Sequence, residues 1–157
     1  MFERITPTLT LAAAIGCGLV AGLFFAFSVA VMPGLRARPA AEGMAAMQAI
    51  NVAILNPLFY AVFMGTAVAC AVLAVSAPFI ELHGSGWRVA GALLYLIGAF
   101  AVTAAVNVPL NDRLAEAAPS SEAGARLWSL HLARWTVWNH ARMVAATGAA
   151  TFLALAA

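Results

Sequence analysis

Long uncharged stretches alternate with short polar segments along this chain. No charged residue occurs from Ile5 to Leu35 or from Gly43 to Ile80. A transmembrane helix needs about 20 consecutive apolar residues, so the pattern predicts four spans, at about 8–32, 57–78, 87–107 and 135–156. The dipeptide Pro33-Gly34 is expected to end the first span.

The composition agrees with a membrane protein. Only 9% of the 157 residues are charged, and mean hydropathy is +0.95. A soluble domain usually has about a quarter of its residues charged, so this chain lacks the residues for a polar coat. We therefore predict one membrane domain over 1–157, all-α, folded as an antiparallel four-helix bundle.

The segment before the second span carries two helix signals. Asn56 is a good N-cap, and Pro57 fits the first turn of a helix because its missing N–H would have no partner there. The preceding segment AAEGMAAMQAINVAIL has helical spacing. It predicts a short interfacial helix before span two.

The fourth span contains polar residues. Only fifteen residues follow Arg142, and they would cover roughly 22 Å of a hydrocarbon core near 30 Å. A full span must therefore begin near Trp135, which places Asn139, His140 and Arg142 in the membrane or at its edge. Ionisable groups at that depth usually face a bundle interior or a wet cavity.

The arginines indicate an orientation. Every basic residue is an arginine, and five of them lie in the loops after spans one and three, against two on the other side. The five are Arg36, Arg38, Arg113, Arg126 and Arg134, and the two are Arg4 and Arg88. Positive charge favours the cytoplasmic side, so we expect a multi-pass protein of the cell inner membrane with loops one and three cytoplasmic.

Polar residues gather at one end of the predicted bundle. They are Asn51, Asn56, Asn107, Asn111, Asp112, Arg113, Asn139, His140 and Arg142. On one helix His140 would point about 160° away from Arg142. We therefore expect His140 to meet Asn107 or Asn111, and Arg142 to be buried and to pair with Asp112. Capping and helix–helix hydrogen bonding are the alternative role for the asparagines.

A metal site is an alternative use of the same end. His131 and His140 are nine residues apart, which is not the i, i+4 spacing of a helical metal pair. With Asp112 they could hold iron or copper, and the two histidines could hold a haem. No basic run indicates nucleic acid, and Cys17 and Cys70 are expected to be buried free thiols.

Two short motifs give the chain a resemblance to a known family. The segments NVPLNDRL and RWTVWNHAR, together with NVAILNP and four apolar spans, resemble the anthrone oxygenase-like family of small integral membrane proteins. The motif residues that carry the likeness are Asn107, Pro109, Asn111, Trp138, Asn139, His140 and Arg142. The resemblance implies oxidation of a planar phenolic substrate of the anthrone type by O₂, giving a quinone.

The chemistry of an anthrone suggests roles for these residues. Removal of its acidic C–H gives an enolate that can react with O₂ directly. His140 suits the base because a histidine titrates near working pH, and Asn107, Asn111, Asn139 and Arg142 could polarise the substrate oxygen. Substrate contacts are expected from Asn51, Asn56, Arg113, Trp135 and Trp138.

No flavin or nicotinamide motif is present, so no cofactor is predicted. The expected partners are a small aromatic substrate, O₂ and the lipid bilayer, and a homo-oligomer is open. Two rival functions also stay open, namely transport, with the polar cluster as a gate, and a structural bundle in which the cluster joins helices. Transporter sites usually lie near mid-depth, whereas this cluster lies at one end.

Overall fold

The computed structural model describes residues 2–79 and 84–157, and these residues form helices and no strand. Helix α1 comprises Phe2–Ala26, a π-helical turn Phe27–Val31 and a last turn Met32–Arg36. Helix α2 is Ala40–Ala53, and α3 is Pro57–Ser76 with a 3-10 turn Ala77–Phe79. Helix α4 begins with an α-helical segment, Ser85–Leu93, continues through two π-helical segments, Leu94–Ala101 and Thr103–Asn107, and ends with an α-helical segment, Val108–Ala115. Helix α5 is Glu122–Leu155.

Three helices in the described part of the chain are long and apolar enough to cross a membrane. They are Ile5–Arg36, Pro57–Phe79 and Ser85–Ala115. The predicted fourth span lies in the C-terminal part of α5, which is not among the three. Polar residues such as Asn139 and Arg142 interrupt its apolar sequence. The described part of the chain is therefore all-helical, and its three long apolar helices indicate a membrane protein. A count of four spans stays a prediction.

Helix α5 packs against both α1 and α4, and α3 packs against the same two helices on the other side. The short helix α2 contacts the N-terminal part of α5 and the C-terminal end of α4. The core has two separate clusters. One, which we call the packed half, runs from Ala13 to Leu153 and contains the free thiols Cys17 and Cys70.

The other cluster, the site half, is built from Met32, Met44, Met47, Leu114, Trp128 and Trp135. It joins the end of α1, the helix α2, the end of α4 and the first part of α5. The two buried methionines of α2, Met44 and Met47, are fully enclosed. The predicted helix before span two is thus confirmed as a helix, and its inner face closes this end of the bundle.

Glycine permits close helix contact in the packed half. A Cβ at Gly98 would collide with the Cβ of Ala145, and one at Gly16 would collide with the Thr66 hydroxyl. At Gly91 an added Cβ would lie 3.1 Å from the Ala149 carbonyl oxygen. Such small residues let helix backbones approach in a membrane, so this half is held by close packing.

Pro33 and Pro109 lie within helices without ending them. The prediction that Pro33-Gly34 ends the first helix is wrong, since α1 continues to Arg36, and α4 likewise passes through Pro109. Each proline directly follows a π-helical turn: the N–H of Met32 bonds to the Phe27 carbonyl and that of Val108 to the Thr103 carbonyl. These bonds reach back five residues. The wider turn accommodates the proline ring, which would otherwise clash with the carbonyl four residues earlier.

The start of α3 follows its sequence signal. The Asn56 side-chain oxygen accepts a hydrogen bond from the Phe59 N–H at 3.1 Å, and Pro57 occupies the first turn. The predicted N-cap is therefore confirmed. The chain turns between α2 and α3 within Ile54–Asn56, and Asn51 near the end of α2 lines the space described below.

Candidate active site

An apolar cavity of about 270 Å³ opens between α1, α3, α4 and α5 at the inner edge of the site half. This volume lies near the lower end of the range for ligand pockets, roughly 300–1,000 Å³. Seven aromatic side chains line it, namely Phe24, Phe27, Phe59, Tyr60, Phe63, Phe100 and Trp135. Flat aromatic walls favour a planar, hydrophobic ligand.

Five polar residues also line the cavity, namely Asn51, Thr103, Asn107, Asn111 and Arg142. Among the described lining residues only Arg142 carries a charge, and this residue is 4% exposed. A charge held in so apolar a setting acts strongly on a ligand, because little water screens it. The cavity can therefore stabilise a developing negative charge.

Arg142 is fixed on three sides. Its Nη1 donates to Thr103 Oγ1 at 3.0 Å, and its Nη2 donates to Asn139 Oδ1 at 2.8 Å. The guanidinium carbon lies 4.2 Å from the centre of the Phe24 ring and 5.2 Å from that of Trp135. Both distances suit cation–π contact. The prediction that Arg142 is buried is confirmed, but its pairing with Asp112 is wrong, because Asp112 lies on the exposed face of α4 and amide and hydroxyl groups bind Arg142 instead.

Asn139 links Arg142 to the neighbouring helix α1. Its Nδ2 donates to the Phe24 carbonyl and to Ser28 Oγ, both at 2.8 Å. Because its Oδ1 accepts from Arg142, every polar atom of this fully buried side chain has a partner. Asn139 therefore positions the guanidinium and does not line the cavity itself.

Several buried polar atoms around the cavity have no hydrogen-bond partner among the described residues. Two are donors, Arg142 Nε and Trp135 Nε1, and two are acceptors, Asn107 Oδ1 and Asn111 Oδ1. Asn107 uses its Nδ2 to donate to the Trp135 carbonyl at 3.4 Å. Buried polar groups normally have partners, so these four atoms indicate where a polar ligand atom would bind.

His140 lies away from the cavity. It is exposed on the outer face of α5, and its Nδ1 is 2.8 Å from the Thr136 carbonyl oxygen one turn earlier. The prediction that His140 meets Asn107 or Asn111 is therefore wrong. Helix geometry explains this: Asn139 and Arg142 face inward, and His140 points about 160° away from Arg142.

The remaining predicted residues lie outside the cavity. Trp138 and Arg113 are exposed and line a separate groove between α4 and α5. Asn56 caps α3 and is exposed. The two metal candidates on α5 differ in environment, since His131 is buried between Trp128 and Trp135 whereas His140 is exposed.

His131 is electrostatically unusual for its position before the predicted fourth span. Burial lowers its pKa to about 4, and the nearby Leu110 backbone opposes the change only in part. Neither ring nitrogen meets hydrogen-bond geometry with a described residue. No group of three potential metal-binding side chains occurs within residues 2–79 and 84–157.

A family model described as anthrone oxygenase matches residues 57–152. The chain belongs to the anthrone oxygenase family. No curated protein and no solved structure matched the chain.

The part matched by the anthrone oxygenase model contains α3, α4 and nearly all of α5. It therefore includes Arg142 and three groups that surround it, namely Thr103, Asn107 and Asn139. Ser28 and Phe24, which hold Asn139 from α1, lie before the matched part. The polar centre of this family member is thus completed by a helix outside that part.

Sequence reasoning missed Thr103, Ser28 and most of the aromatic wall. Thr103 lies four residues before Asn107 and so shares its helix face. Ser28 is one of the few polar residues within an otherwise apolar span. Both signals were visible, since a polar side chain within a span usually faces the bundle interior.

Proposed function

We propose that this protein oxidises a planar phenolic substrate of the anthrone type with O₂, giving a quinone, in the aromatic cavity beside Arg142. The observation that carries the proposal is the enclosed guanidinium at the end of an aromatic slot. Membership of the anthrone oxygenase family supports the same reaction class. The open donors Arg142 Nε and Trp135 Nε1 would bind the substrate carbonyl oxygen.

The first step is loss of a proton from the methylene carbon opposite that carbonyl. The C–H electron pair moves to the carbonyl oxygen and forms an enolate, and the proton passes to water. The described lining residues include neither a carboxylate nor a histidine. The protein would therefore favour this step by stabilising the enolate oxygen with Arg142, as an oxyanion hole does.

The second step consumes O₂. The enolate carbon transfers one electron to O₂, and the two radicals combine with formation of a C–O bond. Protonation gives a hydroperoxide. Loss of the remaining hydrogen on that carbon as a proton, with O–O cleavage and departure of hydroxide, leaves the second carbonyl. One substrate and one O₂ thus give one quinone and one water, and the substrate supplies all the electrons.

Asn107 and Asn111 would orient the ring system. Their open oxygens can accept hydrogen bonds from hydroxyl groups on the substrate. Asn139 would act as a positioning residue through Arg142. The scheme uses no cofactor, and it gives His140 no part at the substrate.

The same proposal includes a location. We place the protein in the cell inner membrane with the site half toward the cytoplasm, because the arginines concentrate at that end. A planar apolar substrate would then reach the cavity from the bilayer. The exposed cavity-lining residues Leu55, Tyr60, Met64 and Val108 are mostly apolar, which suits contact with lipid.

The test adds anthrone to purified protein in detergent and measures O₂ uptake and the absorbance of the quinone product. Detergent without protein gives the background rate. Arg142→Gln should lower the catalytic efficiency by about 10²- to 10³-fold, the usual effect of losing one oxyanion donor. Arg36→Gln removes an exposed arginine at the same end of the protein and should leave the rate at the wild-type value.

Bound iron and copper are measured in the same preparations. Uptake that persists in metal-free protein supports the scheme, whereas uptake that disappears with the metal replaces it with a metal oxygenase. A wild-type rate no higher than that of detergent alone, with every anthrone tried, would refute the proposed activity. An Arg142→Gln protein of full activity would refute the role of the guanidinium.

A further inference from the structure

A second cavity lies on the outside of the site half, between α4 and α5. It has a volume of about 440 Å³, and its walls are Ala105, Val106, Pro109, Leu110, Arg113, Arg134 and Trp138. A smaller space of about 150 Å³ adjoins it and shares Leu110 and both arginines. We call the two together the arginine groove. It has no lining residue in common with the aromatic cavity.

The two arginines of this groove have no acidic partner within the described part of the chain. Both are exposed, and neither forms an ion pair within 4 Å there, although Asp112 and Glu116 lie close to Arg113 on α4. Other exposed arginines behave differently. Arg126 pairs with Glu122, and Arg38 pairs with Glu42 at 2.6 Å. The groove therefore presents two exposed guanidinium groups that are not held in ion pairs.

A third polar group faces the smaller space. His131 is 2% exposed, and neither ring nitrogen has a hydrogen-bond partner among the described residues. The ring is held in place by stacking on Trp128 and Trp135, with centroid distances of 5.8 and 6.0 Å. The Leu110 backbone lies close enough to raise its pKa in part, but neither ring nitrogen has a well-formed hydrogen bond within the described residues. A buried and fixed imidazole of this kind beside two arginines indicates a site for a polar ligand.

The rest of the groove is apolar. Ala105, Val106 and Leu110 form its wall on α4, and Trp138 forms the side on α5 one turn beyond Arg134. Tryptophan is favoured at the level of lipid headgroups. The groove thus combines a cationic end with a hydrophobic wall, which matches an amphiphile better than a small soluble anion.

We propose that the arginine groove binds an anionic phospholipid, with the phosphate between Arg113 and Arg134 and one acyl chain along the α4 wall. Planar guanidinium groups bind phosphate oxygens through paired hydrogen bonds. Basic pockets between membrane helices are suited to anionic headgroups. The site is independent of the reaction proposed above, and it would fix α4 to α5 beside the helix turns that carry Thr103 and Arg142.

The test uses delipidated full-length protein in detergent, titrated with phosphatidylglycerol or with phosphatidylcholine and followed by native mass spectrometry. Each arginine near an anionic headgroup contributes about a fivefold factor. We therefore expect phosphatidylglycerol to bind about 20- to 30-fold more tightly than phosphatidylcholine. The double variant Arg113→Gln/Arg134→Gln should lose this preference.

The matched control is Arg38→Gln/Arg126→Gln, which removes the same charge from the same end of the protein and should retain the preference. Loss of preference in the control as well would show general attraction and overturn the assignment. Equal binding of the two lipids by wild type would also overturn it. If inorganic phosphate at equal concentration displaced phosphatidylglycerol, the ligand would be a soluble anion and the lipid assignment would be wrong.

A second measurement covers the case in which the double variant does not fold. Wild-type protein is placed in vesicles of phosphatidylcholine and phosphatidylglycerol in equal parts, with bromine on the acyl chains of one lipid at a time. Brominated phosphatidylglycerol should quench more tryptophan fluorescence than brominated phosphatidylcholine, and Trp138→Phe should remove the difference. Equal quenching by both lipids would contradict the proposal.

Discussion

The two halves of this protein use opposite structural solutions. In the packed half, glycines such as Gly16, Gly91 and Gly98 bring helices into contact, and a large apolar cluster surrounds the few buried polar residues there. In the site half, α1 and α4 each have a π-helical turn followed by a proline, and the aromatic cavity lies where this half meets the packed half. The packed half also has a buried arginine, Arg88, at the end away from the cavity. Its guanidinium donates a hydrogen bond to the Ala156 carbonyl oxygen at 3.3 Å.

Buried polar atoms without partners in the described residues concentrate in the site half. They belong to Asn107, Asn111, His131, Trp135, Thr136 and Arg142. Each buried polar group without a partner lowers the free energy of unfolding by about 1–3 kcal/mol. The packed half can offset that cost, because close contact supplies stability that the cavity cannot. The packed half therefore supplies stability, and the proposed ligand site lies where its aromatic residues Phe24 and Phe63 meet the site half.

The largest expected effect on stability is a loss of unfolding free energy at acidic pH, caused by His131 in the site half. The pKa of His131 is about 4 in the folded protein and about 6.5 when unfolded, so the unfolded state binds more protons between these values. Stability from the neutral imidazole is complete above pH 6.5 and is lost as the pH falls toward 4. The loss should approach about 3 kcal/mol, since one pKa unit corresponds to about 1.4 kcal/mol.

The measurement is the free energy of unfolding in detergent from pH 7.5 to pH 4, compared with that of His131→Phe. Phenylalanine keeps the stack between Trp128 and Trp135 but cannot take up a proton. Its stability curve should be flatter by the amount given above. Parallel curves for the two proteins would show that His131 does not titrate in this way.

The next effect belongs to the packed half. Gly98→Ala places a methyl group against Ala145 and forces α4 away from α5, which should cost about 1–3 kcal/mol, as is typical of overpacking. Gly22→Ala is the matched control, because an added methyl group there meets nothing within 4 Å. The control should gain about 0.5–1 kcal/mol from better helix propensity. Equal stability of the two variants in thermal unfolding would show that the close contact at Gly98 does not stabilise the packed half.

Asn139→Ala tests whether the polar cluster serves catalysis or only joins helices. The substitution leaves Ser28 and the Phe24 carbonyl without a donor and should cost about 1–3 kcal/mol. If Asn139 positions Arg142, kcat for anthrone should fall as well, in protein that is still folded at the assay temperature. Full kcat in the destabilised variant would mean that the hydrogen bonds join helices and nothing more.

Sequence was a good guide to the helices and to the burial of Arg142. Apolar stretches and the Asn56-Pro57 cap located α3, and the prediction that Arg142 faces inward agrees with its low exposure. Pro33 was wrongly predicted to end a helix, because a wider helical turn can accommodate a proline and has no simple signature in residue types. Membrane helices tolerate such irregularity where neighbouring helices bind the freed backbone groups.

The site was only partly predictable for a different reason. A helical repeat states which residues share a face, and it correctly separated His140 from Arg142. It does not state which face turns inward, and the choice here depends on Ser28 and Thr103 on other helices. Long-range partners of this kind are set by packing, so the aromatic wall of the cavity was not recognisable from sequence alone.

His140→Ala carries the smallest expected effect and the sharpest test of which face of α5 does chemistry. His140 is exposed, and its bond to the Thr136 carbonyl is local to one helical turn. Its removal should change stability by no more than about 0.5 kcal/mol, as for other surface substitutions, and should leave the catalytic efficiency toward anthrone unchanged. Loss of a general base usually slows a reaction by about 10²-fold or more, and a decrease that large would require the side chain to reach the cavity. It would therefore mean that α5 rotates or that substrate binds on the outer face of the bundle. An unchanged rate, together with the lowered rate expected of Arg142→Gln, would place the chemistry on the inward face that Asn139 and Arg142 share.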